Sequence, residues 1–215
     1  MEMDKLFVPR IDMDLTVFGY AALQKQMEEL PWQQLSHANW SEQFPYKPDV
    51  RFQLAHAGDV LFVHYVVRED FIKATYVRPN EAVWEDSCVE LFLSFDGRST
   101  YYNLEFNVLG TGLIGYGPEA KSERARLSAE QIESVQTVTS VINSGKEKCW
   151  ATVWCVPVDV FVESGIDTFS GRKAHGNFYK CGDKLPGPHF LSWSRVDFPT
   201  PNFHLPAFFG ELIFA

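Results

Sequence analysis

The feature that most constrains the fold is a strict two-residue alternation in two consecutive stretches, 87–95 and 101–109. Apolar residues occupy every second position, which places them on one face of an extended strand. They are Val89, Leu91, Leu93 and Phe95 in the first stretch and Tyr102, Leu104, Phe106 and Val108 in the second. The opposite faces carry Glu90, Asn103, Glu105 and Asn107. The pattern predicts two strands, each with one side against a core and another that carries carboxylates and amides.

The same period recurs along the chain between turn residues such as Gly58-Asp59 and Asn143-Ser144-Gly145. Helical spacing predicts one short helix, Phe18 to Leu30, which Pro31 ends, and Pro157 to Val162 is consistent with a single helical turn. No long crossover helix separates the strands, so consecutive strands are expected to pair antiparallel. The further predicted strands are 50–54, 60–67, 135–142, 149–156, 177–181, 189–193 and 210–214.

Many short strands with turn signals between them predict an all-β fold. The expected architecture is an antiparallel, jelly-roll-like β-sandwich with one or two short helices. No linker or repeat divides the chain, so we expect residues 1–215 to form a single domain, with 1–40 as an N-terminal arm and short helix.

The charge balance weighs against several classes of partner. The formal net charge is -9, which disfavours a sequence-independent grip on nucleic acid, because such binding needs clustered Lys and Arg. The one basic cluster is Lys121, Arg124 and Arg126, interpreted as a solvated helix face because acidic residues interrupt it. We find no bilayer-spanning apolar run and no signal peptide pattern. No membrane partner is therefore expected, and the expected location is the cytoplasm, or outside the cell if a leader was removed.

The four cysteines, Cys88, Cys149, Cys155 and Cys181, do not form a zinc-binding pattern. Cys149 and Cys155 fall in one predicted strand, about 20 Å apart, which is too far for a disulfide. Free thiols are therefore expected. The remaining candidate metal ligands are His175, His189 and His204 with Cys181, and their spacing matches no usual metal site.

Four stretches occur in an order that points to one family. They are Val83-Trp84-Glu85-Asp86-Ser87-Cys88-Val89-Glu90-Leu91-Phe92-Leu93, Tyr101-Tyr102-Asn103-Leu104-Glu105-Phe106-Asn107, Asn177-Phe178-Tyr179-Lys180-Cys181-Gly182-Asp183, and a tail from Ser192-Trp193 through Pro201-Asn202-Phe203-His204-Leu205-Pro206 to Phe209-Gly210. Together they resemble carbohydrate-binding module family 9 over roughly residues 40 to 215.

The resemblance implies a non-catalytic domain that grips a sugar, or the end of a plant-type polysaccharide of the xylan or glucan class, between two aromatic side chains. Trp84 matches the first aromatic position, and Phe203 matches the second, where family members carry Trp. Glu90 and Asn107 match the hydroxyl-binding carboxylate and amide. Glu105 lies where the family can carry a basic residue, and Tyr179 lies at an amide-bearing position of the late strand, which are two departures. The family also binds structural calcium, and the resemblance leaves this ion open although no ligand set is matched here. Apart from calcium, no cofactor is expected.

The residue types agree with this expectation. A sugar ring has a C–H face and a rim of hydroxyls, which aromatic plates and fixed polar groups can hold. Other interpretations remain open: Trp84 could cover a sandwich edge, Phe203 could be core, and Glu90 could be solvated. Two rival functions remain as well. One is a glycoside hydrolase that uses Glu90 and Glu105. The other is an interaction module for a partner that is not a sugar.

Overall fold

The computed structural model describes residues 3–13, 20–27, 29–145 and 148–215 as two β-sheets packed face to face. In this part of the chain, no helix is of sufficient length and apolarity to cross a membrane. The predicted β-sandwich with few short helices is confirmed.

The larger sheet contains the strands that carry Glu90 and Glu105. Its order is β1-β14-β12-β6-β7-β8-β9, with β13 beside β12 and β3 beside β13. The strands are β1 (Lys5–Val8), β3 (His37–Ala38), β6 (Cys88–Ser94), β7 (Tyr101–Asn107), β8 (Gly112–Gly117), β9 (Ala125–Arg126), β12 (Lys173–Cys181), β13 (Phe190–Ser192) and β14 (Gly210–Phe214). Strands β12, β6, β7 and β8 form an antiparallel centre, which agrees with the predicted pairing.

The smaller sheet has the order β10-β11-β5-β4-β2. Its strands are β2 (Gln33–Gln34), β4 (Asp49–His56), β5 (Val60–Arg68), β10 (Gln136–Asn143) and β11 (Lys148–Pro157). All four neighbouring pairs are antiparallel. The turns at Gly58-Asp59 and Asn143-Ser144-Gly145 lie where the sequence predicts them, between β4 and β5 and between β10 and β11.

Aromatic side chains fill the space between the sheets. The rings of Phe52 and Phe178, one from each sheet, stack with centroids 3.9 Å apart. Tyr65 and Trp154 from the smaller sheet and Phe106 from the larger sheet pack in the same core. The apolar side of the predicted alternation therefore faces the core, and the Glu90 side of β6 faces away from it.

A buried ion pair also joins the sheets. Lys180 Nζ in β12 lies 2.9 Å from Glu69 Oε2, just after β5, and both side chains are fully buried. Trp150 Nε1 in β11 donates to Glu69 Oε1 at 2.6 Å. Lys180 Nζ also lies 2.7 Å from His189 Nε2. Within this cluster, the His189 ring contacts Lys180 rather than forming part of a metal-ligand group among the described residues.

The N-terminal arm contains a strand that pairs in parallel, a contact that the prediction for consecutive strands does not cover. Strand β1 joins β14 in parallel, from Lys5 beside Glu211 to Val8 beside Phe214, and it buries Leu6 and Val8. Helix α1 covers Tyr20–Met27, within the predicted Phe18 to Leu30, and Phe18 lies outside the described residues. Leu23 and Met27 pack α1 on the outer face of the smaller sheet.

Short helices connect several of the strands. Three short 3-10 helices, Val83–Glu85, Lys121–Glu123 and Pro206–Phe208, lie before β6, before β9 and before β14. A fourth, Val158–Ser164, occupies the predicted helical turn. Helix α2 (Ala129–Glu133) begins with a capping box between Ser128 and Gln131.

Candidate functional site

The outward face of β12, β6 and β7 is a small grid of side chains set by strand register. Tyr179, Glu90 and Glu105 form one row across the three strands. On one side, the next row is Cys181, Cys88 and Asn107. On the other side, it is Asn177, Phe92 and Asn103. The two-residue period therefore brings Glu90 and Glu105 directly opposite each other.

A cavity of about 410 Å³ opens over this grid. Four of the predicted site residues line it: Trp84, Glu90, Glu105 and Phe203. The cavity walls come from the Val83–Glu85 turn, the segment 121–126 and the tail 201–204. Trp84 and Phe203 are both half-buried, so each ring offers part of its surface to the cavity.

The paired glutamates on the cavity floor are almost fully buried, at 3% and 5% exposure. Burial raises the pKa of Glu105 to about 7, although the Asn103 hydrogen bond and Arg126 act against this rise. Burial, and then the charge of Glu105, raises the pKa of Glu90 well above its ordinary value. Glu90 Oε1 accepts from the Cys181 thiol at 2.9 Å, and Glu105 Oε1 accepts from Asn103 Nδ2 at 2.8 Å.

The basic segment contributes to the site, which corrects its interpretation as a solvated helix face. Lys121, Arg124 and Arg126 all line the cavity. Arg124 is half-buried, its Nη2 donates to Asn103 Oδ1 at 2.5 Å, and its guanidinium lies 3.9 Å from the centroid of the Tyr101 ring. The interpretation was wrong because this segment folds as a 3-10 turn and a short strand, β9, against the edge of β8.

The Asn103 amide therefore makes two hydrogen bonds: its Oδ1 accepts from Arg124, and its Nδ2 donates to Glu105. Gly115 on β8, which faces Asn103, completes this arrangement. A Cβ at Gly115 would lie 2.7 Å from Asn103 Oδ1, so glycine leaves the room that the amide needs. Asn103 is the floor amide that lines the cavity.

Tyr179 does not line the cavity, although it was a predicted sugar-binding residue. It is fully buried, and its ring stacks against that of Phe203 with centroids 4.1 Å apart. Its hydroxyl donates to the Phe203 carbonyl at 3.3 Å. Tyr179 therefore supports the aromatic wall from behind, because its row position puts it under the tail rather than in the opening.

Asn107 does not reach the cavity either. It is fully buried, and Nδ2 donates to the Tyr76 carbonyl at 2.9 Å and to Asp86 Oδ2 at 3.0 Å. Its Oδ1 accepts from the backbone N–H groups of Leu109 and Thr111. Both polar atoms of the amide are therefore hydrogen-bonded within the protein. Through Tyr76 and Asp86, Asn107 stabilises the loop that leads to Trp84.

Sequence reasoning missed several lining residues. Asn103 shares the polar face of Glu105, so the alternation itself could have indicated it. Asp183 and His204 lie within two of the stretches that resemble the family, although no sugar-binding role was assigned to them, whereas Arg124 lies in a loop outside all four stretches. Burial, and then the charge of Glu85, raises the pKa of Asp183 to about 6. Burial lowers the pKa of His204 to about 3, and its Nδ1 lies 2.9 Å from the Tyr101 hydroxyl.

Within residues 3–13, 20–27, 29–145 and 148–215, Cys88, Glu90 and Cys181 form the one group of three or more His, Cys, Asp or Glu side chains that could hold a metal. Among the same residues, His175, His189 and His204 do not form such a group with Cys181, in line with their unusual spacing in the sequence. Calcium prefers oxygen ligands, so this thiol-containing group does not fit the structural calcium that the resemblance implies.

The model of a carbohydrate-binding family matches residues 21–214, almost the whole chain. The chain belongs to carbohydrate-binding family 9. No curated protein matches it. A solved structure from Bacteroides uniformis ATCC 8492, whose carbohydrate binding is a provisional assignment, is 37% identical with a TM-score of 0.92, and each chain covers 100% of the other.

Two family 9 structures from Caldicellulosiruptor kristjanssonii share the fold. One, in complex with glucose, is 12% identical with a TM-score of 0.64, and the match covers 99% of this chain and 96% of that one. The other, in complex with cellotriose, is 13% identical with a TM-score of 0.60, and the match covers 98% and 93%. The order of motifs in the sequence therefore identified the family, and these distant relatives share its architecture.

Proposed function

We propose that this family 9 protein binds carbohydrate in the cavity without transforming it. One observation carries the proposal: two half-buried aromatic side chains, Trp84 and Phe203, border a floor of two buried glutamates, Glu90 and Glu105. Aromatic surface matches the C–H face of a sugar ring, and the floor groups match its hydroxyls.

The floor chemistry suits a neutral sugar. Because burial raises the pKa values of Glu90 and Glu105, their carboxyl groups keep their protons to a higher pH than exposed carboxyl groups do. A protonated carboxyl can donate and accept, as a sugar hydroxyl can. Asn103, which accepts a hydrogen bond from Arg124, adds an amide group to the same cavity floor.

The cavity volume favours a short saccharide or the end of a chain. About 410 Å³ lies towards the small end of the usual range for ligand pockets, roughly 300–1,000 Å³. The glucose and cellotriose complexes of family members support a glucan as the first ligand class. The xylan class is the second candidate.

Calorimetry with glucose, cellotriose and xylobiose tests the proposal. Trp84→Ala should weaken binding about tenfold, because the lost stacking is worth on the order of 1 kcal/mol or more. Trp32→Ala is the matched control, since Trp32 is exposed and packs near His64 and Arg51 on the smaller sheet. Unchanged binding by a folded Trp84→Ala variant would place the site elsewhere, and unfolding would make Trp84 a core residue.

A glycoside hydrolase is the second candidate, because Glu90 and Glu105 supply the pair of carboxyl groups that this chemistry needs. Prolonged incubation with cello- and xylo-oligosaccharides separates the two candidates. Shortened products favour the hydrolase, whereas intact oligosaccharide with saturable binding supports the binding protein. A glycan array without hits would favour a partner that is not a sugar.

A further inference from the structure

Two thiols and a carboxyl group converge at one end of the cavity floor. Cys88 on β6 and Cys181 on β12 are direct cross-strand neighbours. Glu90 lies two residues after Cys88, so its side chain shares the same face. The sulfur atoms and one carboxyl oxygen all lie within 4.8 Å of one another, and the three side chains are at most 3% exposed.

We propose that Cys88, Glu90 and Cys181 form a binding site for a soft divalent metal ion, with zinc the best match. Zinc binds thiolate sulfur at about 2.3 Å and carboxylate oxygen at about 2.0–2.2 Å, in tetrahedral sites that can use three protein ligands and one open position. Ligand atoms around such an ion are separated by roughly 3.5–4 Å. The three ligand atoms lie within 4.8 Å of one another, so metal binding requires only small movements of these side chains.

The choice of metal follows from the ligand types. Calcium and magnesium take oxygen ligands, whereas thiolates select softer ions. Two of the three ligands, Glu90 and Cys181, line the cavity, whereas Cys88 does not. The open position therefore faces the cavity, where water or a ligand hydroxyl can complete the coordination.

Charged groups of both signs lie near the cluster. Glu105 lies opposite Glu90, and Asp183, Arg124 and Arg126 line the same cavity. Lys180 is paired with the buried Glu69 at 2.9 Å. Binding one divalent ion replaces the protons of two thiols and one carboxyl group, so three protons leave as three metal–ligand bonds form and no redox step is involved.

This inference goes beyond sugar binding and does not depend on it. The two sites share Glu90, so each is measured without the other ligand: metal binding without sugar, and sugar binding with a chelator. If the parent protein binds sugar but not metal, only the metal-site proposal fails. If it binds metal but not sugar, only the sugar-binding proposal fails.

Cobalt titration of the reduced, chelator-treated full chain tests the metal site. We expect one equivalent of Co²⁺ to bind with a thiolate-to-cobalt charge-transfer band, which Zn²⁺ displaces. Cys88→Ser and Cys181→Ser should each lose the band's intensity and at least about tenfold in affinity. Cys149→Ser and Cys155→Ser are matched controls on β11 and should behave as the parent does.

A measurement on the parent protein guards against variants that fail to fold. X-ray absorption of the zinc-loaded parent should show two sulfur neighbours at about 2.3 Å, with lighter atoms completing the shell. Absence of sulfur neighbours, or a cobalt band that persists in a folded Cys88→Ser/Cys181→Ser variant, would overturn the proposal.

Discussion

The ring of Tyr179 lies parallel to the ring of Phe203, with 4.1 Å between centroids and 12° between planes. Phe203 is half-buried and lines the cavity, whereas Tyr179 is fully buried, so the Tyr179 ring supports the position of the Phe203 ring. The aromatic wall of the proposed sugar site is thus a stack of two rings rather than a single side chain.

Removing the buried ring should therefore weaken sugar binding indirectly. Tyr179→Ala should lower sugar affinity about as much as Phe203→Ala does, and should also cost about 3–5 kcal/mol of stability, as for a buried aromatic residue. Tyr179→Phe is the matched control and should bind sugar as the parent does. Calorimetry and urea unfolding measure both effects. Loss of binding in Tyr179→Phe would instead give the hydroxyl a direct role.

The Glu90 carboxyl group should contribute to sugar affinity as a neutral hydrogen-bonding group. Glu90→Ala should weaken binding about tenfold, since 1.4 kcal/mol is a factor of ten and a hydrogen bond contributes about 0.5–1.5 kcal/mol. Glu90→Gln keeps the shape and both kinds of hydrogen-bonding atom, so it should retain most of the affinity. Calorimetry with a chelator present measures both variants. Equal binding by the parent and a folded Glu90→Ala variant would remove Glu90 from the sugar site.

Asn107 should matter for stability rather than for ligand contact. Asn107→Ala leaves the backbone N–H groups of Leu109 and Thr111 without their side-chain acceptor, which should cost about 3 kcal/mol in the free energy of unfolding. Asn143→Ala, in an exposed turn, is the control and should change stability by less than about 0.5 kcal/mol. Urea unfolding compares the two. A stable Asn107→Ala variant with lost sugar binding would restore the original ligand role.

The buried Lys180–Glu69 pair should be costly to break from one side. Lys180→Met leaves the Glu69 carboxylate buried without its cation, which should cost about 3–5 kcal/mol. Lys5→Ala is the surface control, because Lys5 pairs with Glu211 at 3.2 Å but is 57% exposed, and it should cost about 1 kcal/mol or less. Thermal and urea unfolding provide the comparison. Similar losses of unfolding free energy in the two variants would contradict the expectation that the buried pair is more costly to break than the surface pair.

His64 should make the protein less stable in acid. Burial, and then the charge of Arg51, lowers the pKa of His64 to about 4, below its ordinary 6.5. The unfolded chain therefore takes up this proton before the folded one does, and stability falls as pH drops from about 6.5 to about 4, by at most about 3 kcal/mol. His64→Gln should flatten the profile, whereas half-buried His175→Gln should flatten it much less. Urea unfolding at several pH values decides, and identical profiles for parent and His64→Gln would refute the assignment.

Much of the fold follows from periodicity alone. The alternation in β6 and β7 predicts which side of each strand packs and places Glu90 and Glu105 on the opposite side. The parallel partner of β1 was not predictable, because pairing between residues 5–8 and 211–214 depends on where the chain ends meet in space. Local patterns carry no information about such distant contacts.

The site was predictable only as far as its residues share a motif. Trp84, Glu90, Glu105 and Phe203 lie in family motifs, and the cavity contains all four. Asn107 and Tyr179 occupy the same polar faces, yet loop packing buries one and the tail covers the other. Arg124 was misread because its charge suggested solvent, whereas its hydrogen bonds to Asn103 and to the Gly117 carbonyl require the folded loop.

The parallel pairing of β1 with β14 has a mechanical consequence. Because both strands run in the same direction, the start of β1 and the end of β14 lie at opposite ends of their shared ladder. A force that pulls Lys5 away from Phe214 acts along the strands and loads the ladder's hydrogen bonds together, rather than opening them one after another. The protein should therefore resist a force applied between Lys5 and Phe214 more strongly than it would if these two strands paired antiparallel.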